Sequence, residues 1–98
     1  MSTTSDENAL AAYERDEGWC QWCLHKLNTF NTGGTPHHIF GRHYNLPEHQ
    51  ITLCMVRRDG SLGCHQRIHQ TGEITREDIV ALCMGTIWEG EDLTPNGR

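Results

Sequence analysis

PHHIFGRHYNLPEHQITLCMVRRDGSLGCHQRIH, residues 36–69, is the segment around which the other residues of this chain are arranged. It has a His-His pair at its start, a Leu-Cys pair in its middle and a Cys-His-x-x-x-His run at its end. A short CQWC element, residues 20–23, precedes it. Together these elements supply four cysteines and at least four histidines at spacings typical of metal ligands. The sequence therefore predicts two metal sites, one that stabilises the fold and one that carries out chemistry.

The length of the chain suggests why a stabilising site is needed. A chain of 98 residues forms one small domain with a marginal core, and such domains gain stability from disulfides or from a structural metal ion. We see no basic segment followed by an apolar run at the start and no long apolar segment elsewhere, so we expect neither a signal peptide nor a membrane span. The expected location is the reducing cytoplasm, where cysteines bind metal more often than they form disulfides.

Charge is distributed unevenly along the chain. The net charge is −5, which argues against a simple basic DNA-binding domain. Residues 26–76 nevertheless carry six of the eight basic residues and only three of the thirteen acidic ones. The basic segment coincides with the cysteines and histidines, as expected if the centre of the chain contacts phosphate. The alternative is an acidic protein whose charges are spread by chance.

Helical and extended patterns predict a small α+β fold that forms one domain over 1–98, with a core at 19–71. The flanking helices are predicted at 6–17 and 75–87, and the central strands at 36–40 and 50–56. A short central helix is predicted at 64–70. Thr75 and Asp78 open the last helix as a variant of the capping box. Cys83 lies on the apolar side of that helix, and we interpret it as a buried small hydrophobic residue.

Cys20, Cys23, Cys54 and Cys64 are predicted to hold one structural Zn²⁺ ion. A C-x-x-C turn lets two thiolates reach the same tetrahedral ion, and Cys54 and Cys64 complete the set. Nine residues separate the last two cysteines, more than is usual, but a two-stranded loop whose ends meet would bring their sulfurs together. A lone C-x-x-C also occurs in redox sites. Here it follows a helix and precedes polar residues, and two more cysteines lie downstream, which favours metal.

His37, His65 and His69 are predicted to hold a second ion. His65 and His69 are four residues apart on a helix and share one face, and His37 joins them if the strand packs on that helix. Three imidazoles leave open positions for a phosphate oxygen and water, as a catalytic metal requires. His38 points to the other face of the strand and is the candidate general base. We expect Mg²⁺ or Mn²⁺ at this site, although Zn²⁺ or Ni²⁺ could occupy a nitrogen-rich ligand set.

This pattern resembles the HNH (His-Me finger) endonuclease family. The resemblance covers residues 20–69 and rests on Cys20-x-x-Cys23, His37-His38-Ile39, Ile51-Thr-Leu-Cys54 and Cys64-His65-Gln-Arg-Ile-His69. It implies a ββα-metal unit, built onto a treble clef with a four-cysteine zinc site. It also implies hydrolysis of DNA phosphodiester bonds with one divalent ion that stabilises the leaving 3′ oxygen.

The same resemblance implies a role for each histidine of the motif. His38 corresponds to the general base, His37 to the preceding metal ligand, His65 to the final motif histidine and His69 to a further ligand. Family members often carry an asparagine in the middle of the motif, where this chain has His49. His49 could donate the hydrogen bond that orients the base, and Asn45 is the alternative from a shifted position.

DNA is the expected partner, and four arginines are candidate phosphate contacts: Arg42, Arg57, Arg58 and Arg67. Small stand-alone members of the family are frequent in phage genomes, often beside packaging genes. The resemblance thus implies a packaging or other DNA-processing protein as a second partner, and the host cytoplasm as the location if the chain is phage-encoded. The alternative function is a non-catalytic, zinc-stabilised DNA-binding or assembly module, which would bind DNA or a partner without cutting under any divalent ion.

Overall fold

The computed structural model describes residues 4–95, with side chains from Glu7 onward, so residues 1–3 and 96–98 of the predicted domain lie outside it. The described elements are α1 (Thr4–Arg15), α2 (Gln21–Lys26), β1 (Pro36–His38), a 3₁₀ turn (Pro47–His49), β2 (Gln50–Thr52), α3 (Cys64–His69) and α4 (Arg76–Gly85). The predicted α+β class is therefore confirmed. None of the helices within the described range is long and apolar enough to cross a membrane.

The flanking helices differ from their predicted bounds. α1 lies two residues earlier than the predicted 6–17 and ends at Arg15, and Glu17 and Gly18 then take positive φ angles of 56° and 74°. α4 is shorter than the predicted 75–87, because Thr86 leaves the helical region with φ −131° and ψ −94°. The capping box at the start of α4 is present, and Thr75 is its N-cap.

α2 is a helix that the sequence pattern did not predict. The sulfur of Cys20 caps its N-terminus by accepting a hydrogen bond from the Cys23 N–H at 3.4 Å. Because redox C-x-x-C pairs also lie at a helix start, the polar residues after Cys23 do not discriminate between the two kinds of site. Only the positions of the other two cysteines can distinguish a metal site from a redox site here.

β1 and β2 form an antiparallel pair, with Pro36 opposite Thr52, His37 opposite Ile51 and His38 opposite Gln50. Both strands are shorter than the predicted 36–40 and 50–56: the chain turns after His38, and Thr52 lies opposite Pro36, the first residue of β1. All three residues of β2 are buried, which fits a strand that packs under α1 as well as against β1.

A polar network fastens α1 to this hairpin. The buried Asp16 carboxylate pairs with Arg15 at 2.8 Å and accepts the Thr52 N–H at 2.9 Å. Arg15 also donates to the carbonyls of Pro47 and Gln50, both at 2.7 Å. Because these bonds join the end of α1 to both ends of β2, the network fixes the hairpin that carries His37 and His38.

The C-terminal part of the chain covers the other side of the core. Trp88 is buried, donates its indole N–H to the Glu48 carbonyl at 2.7 Å and stacks on Phe40 with an interplanar angle of 16°. Cys83 is fully buried, as predicted, and burial raises the pKa of its thiol to about 12. This residue therefore acts as a small apolar side chain in the core.

Candidate metal centres

The four cysteine sulfurs form a closed cluster, with ligand atoms that all lie within 4.8 Å of one another. Each side chain is at most 1% exposed. The Cys23 sulfur lies 3.8 Å from the sulfurs of both Cys54 and Cys64. Four sulfurs placed about 2.3 Å from a zinc ion are separated by about 3.8 Å in a tetrahedron. The cysteines are free thiols whose spacing fits a tetrahedral metal ion such as zinc.

The long insertion between the third and fourth cysteines folds back on itself. Val56 and Leu62 pair in an antiparallel bridge, so the two ends of the loop meet. Gly63 then passes so close to the preceding strand that a Cβ there would lie 2.2 Å from the Met55 carbonyl carbon. Only glycine permits this approach, which starts α3 beside Cys54 and brings Cys64 into the cluster.

The metal-free thiols resist ionisation. The pKa of Cys23 is raised to about 12, chiefly by burial and then by the charge of Cys20. The pKa of Cys20 is also raised, chiefly by its hydrogen bond with Cys64 and then by burial. Four thiolates at such distances repel one another unless a cation lies between them. Metal binding at this cluster is therefore coupled to proton release.

His37, His65 and His69 form a second cluster, with ligand atoms within 4.8 Å of one another. Their ring centroids are 5.2 Å (His37 to His65), 5.1 Å (His37 to His69) and 4.6 Å (His65 to His69) apart, with the planes nearly perpendicular. His37 is buried, His65 is half-buried and His69 is exposed. The hairpin and α3 thus bring the three rings together, and the cluster opens to solvent through His69.

Burial favours the neutral form of two histidines of this cluster, His37 and His65. The pKa of His37 is lowered to about 4, first by burial and then by the charges of His65 and His69. The pKa of His65 is lowered as well, by burial and by His69. Neutral imidazole offers a lone pair, which is the form that binds a metal ion. The three histidines have the chemistry of a metal site that leaves coordination positions free.

The histidine cluster lies in a cleft of about 800 Å³ that His38, Asn45 and Arg42 also line. The strand alternation predicted His37 and His38 on opposite faces, yet both residues line this cleft. The His38 Nε2 lies 3.1 Å from the Asn45 Oδ1. An amide oxygen only accepts, so Nε2 is the donor in this contact, and the neutral form of His38 then has its lone pair on Nδ1. His38 is therefore held in the tautomer that can take a proton through Nδ1.

Asn45 and His49, the two candidates for orienting His38, have different partners. Asn45 contacts His38, and its own carbonyl accepts a hydrogen bond from the buried Gln50 side chain at 2.7 Å. His49 is buried and donates instead through Nε2 to the Leu93 carbonyl at 2.8 Å. The geometry gives the orienting contact to Asn45, while His49 ties the hairpin to the C-terminal segment. Gln50 was missed, since a polar residue at the start of a strand carries no signal.

Two of the four candidate phosphate contacts differ clearly in position. Arg42 is exposed and lines the histidine cleft. Arg67 instead pairs with Glu73 at 2.6 Å and donates to the Leu62 carbonyl at 2.8 Å. Arg42 is thus available to a ligand in the cleft, whereas Arg67 braces α3.

The remaining two candidates lie in the loop after Cys54 and point in different directions. Arg58 donates to the Phe30 carbonyl at 2.8 Å on the surface. Arg57 directs its guanidinium inward, with Nη2 3.7 Å from the Cys64 sulfur. The expectation that this loop presents both arginines to DNA does not fit the orientation of Arg57.

No protein-family model, curated protein or solved structure matches this chain. Its function is therefore inferred from its two ligand clusters. A closed set of four thiolates is typical of a structural metal site, and three ligands with open positions are typical of a catalytic one.

Proposed function

We propose that this chain is a metal-dependent DNA endonuclease of the HNH type. The observation that carries the proposal is the arrangement in one cleft of a three-histidine cluster and of His38, whose tautomer is fixed by Asn45. A structural protein needs neither feature. A hydrolase that combines a metal ion with a general base uses both, because one holds an electrophilic ion and the other takes a proton from the attacking water.

The proposal includes a specific architecture for the central part of the fold. We infer that β1, β2 and α3 form a ββα-metal unit built onto a treble clef. In support, β1 carries His37 and His38, the chain after β2 carries Cys54, and α3 carries Cys64, His65 and His69. One short hairpin and one short helix thus contribute to both ligand clusters, as that architecture requires.

The residues have separate roles in the proposed reaction. Cys20, Cys23, Cys54 and Cys64 would hold Zn²⁺, and His37, His65 and His69 would hold the second ion. When bound, a divalent ion there supplies Lewis-acid stabilisation of the leaving 3′ oxygen. His38 accepts the proton of the attacking water at Nδ1, Asn45 keeps the ring oriented, and Arg42 contacts a phosphate of the strand.

The ligands restrict the choice of the second ion without deciding it. Three imidazole nitrogens suit Zn²⁺ or Ni²⁺ best, whereas Mg²⁺ prefers oxygen ligands and Mn²⁺ binds nitrogen ligands less strongly than Zn²⁺ or Ni²⁺. Mg²⁺ would depend on water and phosphate oxygens for the rest of its coordination shell. Both Mg²⁺ and Mn²⁺ remain the proposed physiological ions, and activity with Mn²⁺ is expected to be the higher.

The alternative is a non-catalytic, zinc-stabilised DNA-binding or assembly module. The observation that favours it is the scarcity of positive charge at the cleft, since Arg57, Arg58 and Arg67 contact protein groups and the net charge is −5. Such a module would bind DNA weakly, or bind a packaging or other DNA-processing protein, and would cut nothing.

Incubation with supercoiled plasmid and each of Mg²⁺, Mn²⁺, Zn²⁺ and Ni²⁺ tests the proposal. We expect nicked or linear product, and His38→Ala should reduce the rate by about 10²- to 10⁴-fold, the usual contribution of a general base. His43→Ala is the matched control, because His43 is an exposed histidine five residues away. Equal cleavage by His38→Ala would remove His38 as the base, and no cleavage with any ion would favour the non-catalytic module.

A further inference from the structure

Every sulfur of the cysteine cluster accepts an N–H donor from the described residues. Two donors are backbone groups: Cys23 N–H bonds the Cys20 sulfur and Cys64 N–H bonds the Cys54 sulfur, both at 3.4 Å. The other two sulfurs, of Cys23 and Cys64, accept from side chains. The cluster thus has a complete set of donors for the charge that four thiolates would carry.

The two side-chain donors are Asn31 and Arg57. The Asn31 Nδ2 lies 3.8 Å from the Cys23 sulfur, and the Arg57 Nη2 lies 3.7 Å from the Cys64 sulfur. Asn31 is neutral, so Arg57 is the one cation among the four donors. Neither residue belongs to the motif on which the nuclease proposal rests.

We propose that Arg57 is the charge partner of the structural zinc–thiolate centre and not a DNA contact. Four thiolates around one Zn²⁺ carry a net charge of −2, and burying uncompensated charge is expensive. A guanidinium beside one thiolate lowers that charge to −1 and donates a charge-assisted hydrogen bond. Arg57 therefore acts as a positioning residue that holds Cys64 and strengthens metal binding.

The loop is built to aim Arg57 inward. Its backbone N–H donates to the Ser61 carbonyl at 3.0 Å, and its carbonyl accepts from the Gly60 N–H at 2.8 Å, which closes a tight turn. The Arg57 Nε is buried and has no hydrogen-bond partner among the described residues. An arginine that extends into solvent to reach DNA would not bury this atom.

Asn31 holds the same loop from the other side. Besides the Cys23 sulfur, its Nδ2 donates to the Val56 carbonyl at 3.0 Å. Val56 directly precedes Arg57, so the contact fixes the loop segment from which the guanidinium extends. Asn31 thus joins Cys23 to the loop that carries Arg57, and Arg57 in turn contacts the sulfur of Cys64.

The proposal rests on zinc in the cysteine cluster and holds whether or not the chain cuts DNA. The experiment measures zinc affinity and zinc release from the full chain, with a chromogenic chelator as competitor. Arg57→Gln, which removes the charge, should weaken zinc binding about 10-fold or more, within the range usual for groups that support a ligand. Arg57→Lys keeps the charge and should recover most of that loss.

Arg58→Gln is the matched control, because it makes the same change at the next residue, whose side chain points away from the sulfurs. Its zinc affinity should stay within about twofold of the parent chain, as for an ordinary surface substitution. Co²⁺ in place of zinc gives a second readout, since the thiolate-to-metal absorption should shift in Arg57→Gln alone.

Three results would overturn the proposal. The first is equal zinc affinity in Arg57→Gln and the parent chain. The second is an equal loss of zinc affinity in Arg57→Lys and Arg57→Gln. The third is a loss of DNA affinity in Arg57→Gln with unchanged zinc binding. If the Arg57→Gln protein can be purified in folded form only with excess zinc, Arg57→Lys is measured under the same conditions. That comparison still decides whether Arg57 supports the zinc centre or contacts DNA.

Discussion

The four cysteines and the three histidines are held by overlapping elements, yet one cluster is closed and the other is open. Every cysteine ligand is buried and has an N–H donor, whereas the histidines pass from buried His37 to exposed His69 along a cleft. Cys64 and His65 are neighbours on α3 and belong to different clusters. Adjacent ligands can therefore differ in access to solvent, and access distinguishes a site that stabilises the fold from one that a substrate can reach.

The dependence between the clusters runs in one direction. The cysteine cluster anchors α3 beside the hairpin through Cys64, which is the first residue of that helix. Without the histidine cluster, the hairpin keeps its contacts with α1 through Asp16 and Arg15. Loss of zinc should therefore abolish the histidine site, whereas loss of the second ion should leave the zinc site intact.

The largest effect is expected from breaking the closed cluster. Cys54→Ser should leave the chain unfolded, because a structural zinc site contributes about 10–16 kcal/mol and a whole domain is stable by about 5–15 kcal/mol. Cys83→Ala is the control, since Cys83 is also fully buried but lies outside the cluster. Circular dichroism and thermal unfolding, with and without a zinc chelator, measure the effect. A cooperative transition in chelated or Cys54→Ser protein would contradict the assignment.

The next effect is confined to the open cluster. His69→Ala removes one of three ligands, so affinity for the second ion should fall about 100-fold, while stability should change by less than about 1 kcal/mol because His69 is exposed. Titration of zinc-loaded protein with Ni²⁺ or Mn²⁺ measures the first quantity and thermal unfolding measures the second. His25→Ala, an exposed histidine on α2, is the control. A large drop in melting temperature would show that the clusters are not separable in this way.

The sequence predicted the ligands of both clusters better than the elements that carry them. Cysteine and histidine spacing is typical of metal sites, so the spacing could propose the cysteines, His65 and His69, and the expected packing of a strand on the helix added His37. The residues that hold these ligands in place could not be predicted, because their role depends on tertiary contacts. Neither the hydrogen bond from the Thr52 N–H to Asp16 nor the contact of Asn31 with the Cys23 sulfur has a local sequence signal.

Strand length and side-chain direction could not be predicted from the pattern for a similar reason. Apolar residues after β2 suggested a longer strand, but close passage at Gly63 redirects the chain towards α3. The arginines were assigned to DNA by charge alone, and charge does not say which way a side chain points. Arg57 and Arg58 are adjacent, and only the fold distinguishes a guanidinium at a sulfur from one at a surface carbonyl.

An intermediate effect should distinguish Asn45 from His49. Asn45→Ala removes the partner of His38, so we expect cleavage to slow about 10-fold with unchanged metal affinity, since general-base catalysis depends on orientation. His49→Gln loses a buried contact with Leu93, and should cost about 1–3 kcal/mol of stability with little change in the rate per folded molecule. Single-turnover cleavage and denaturant unfolding on the same two variants measure both quantities. The reverse pattern would return the orienting role to His49.

The smallest effect is expected at the edge of the open cleft. Arg42→Ala should weaken DNA binding severalfold and reduce the magnitude of the salt slope by about 1, because each arginine–phosphate contact releases about one counterion. Arg58→Ala should leave the slope unchanged, since Arg58 binds the Phe30 carbonyl. Fluorescence anisotropy with a labelled duplex over a series of salt concentrations separates the two, and a His38→Ala background prevents cleavage. A slope for Arg42→Ala equal to that of the parent chain would mean that DNA does not cross the cleft at Arg42. The open cluster would then be a metal site without a phosphate-binding approach, which is the arrangement expected of the non-catalytic module.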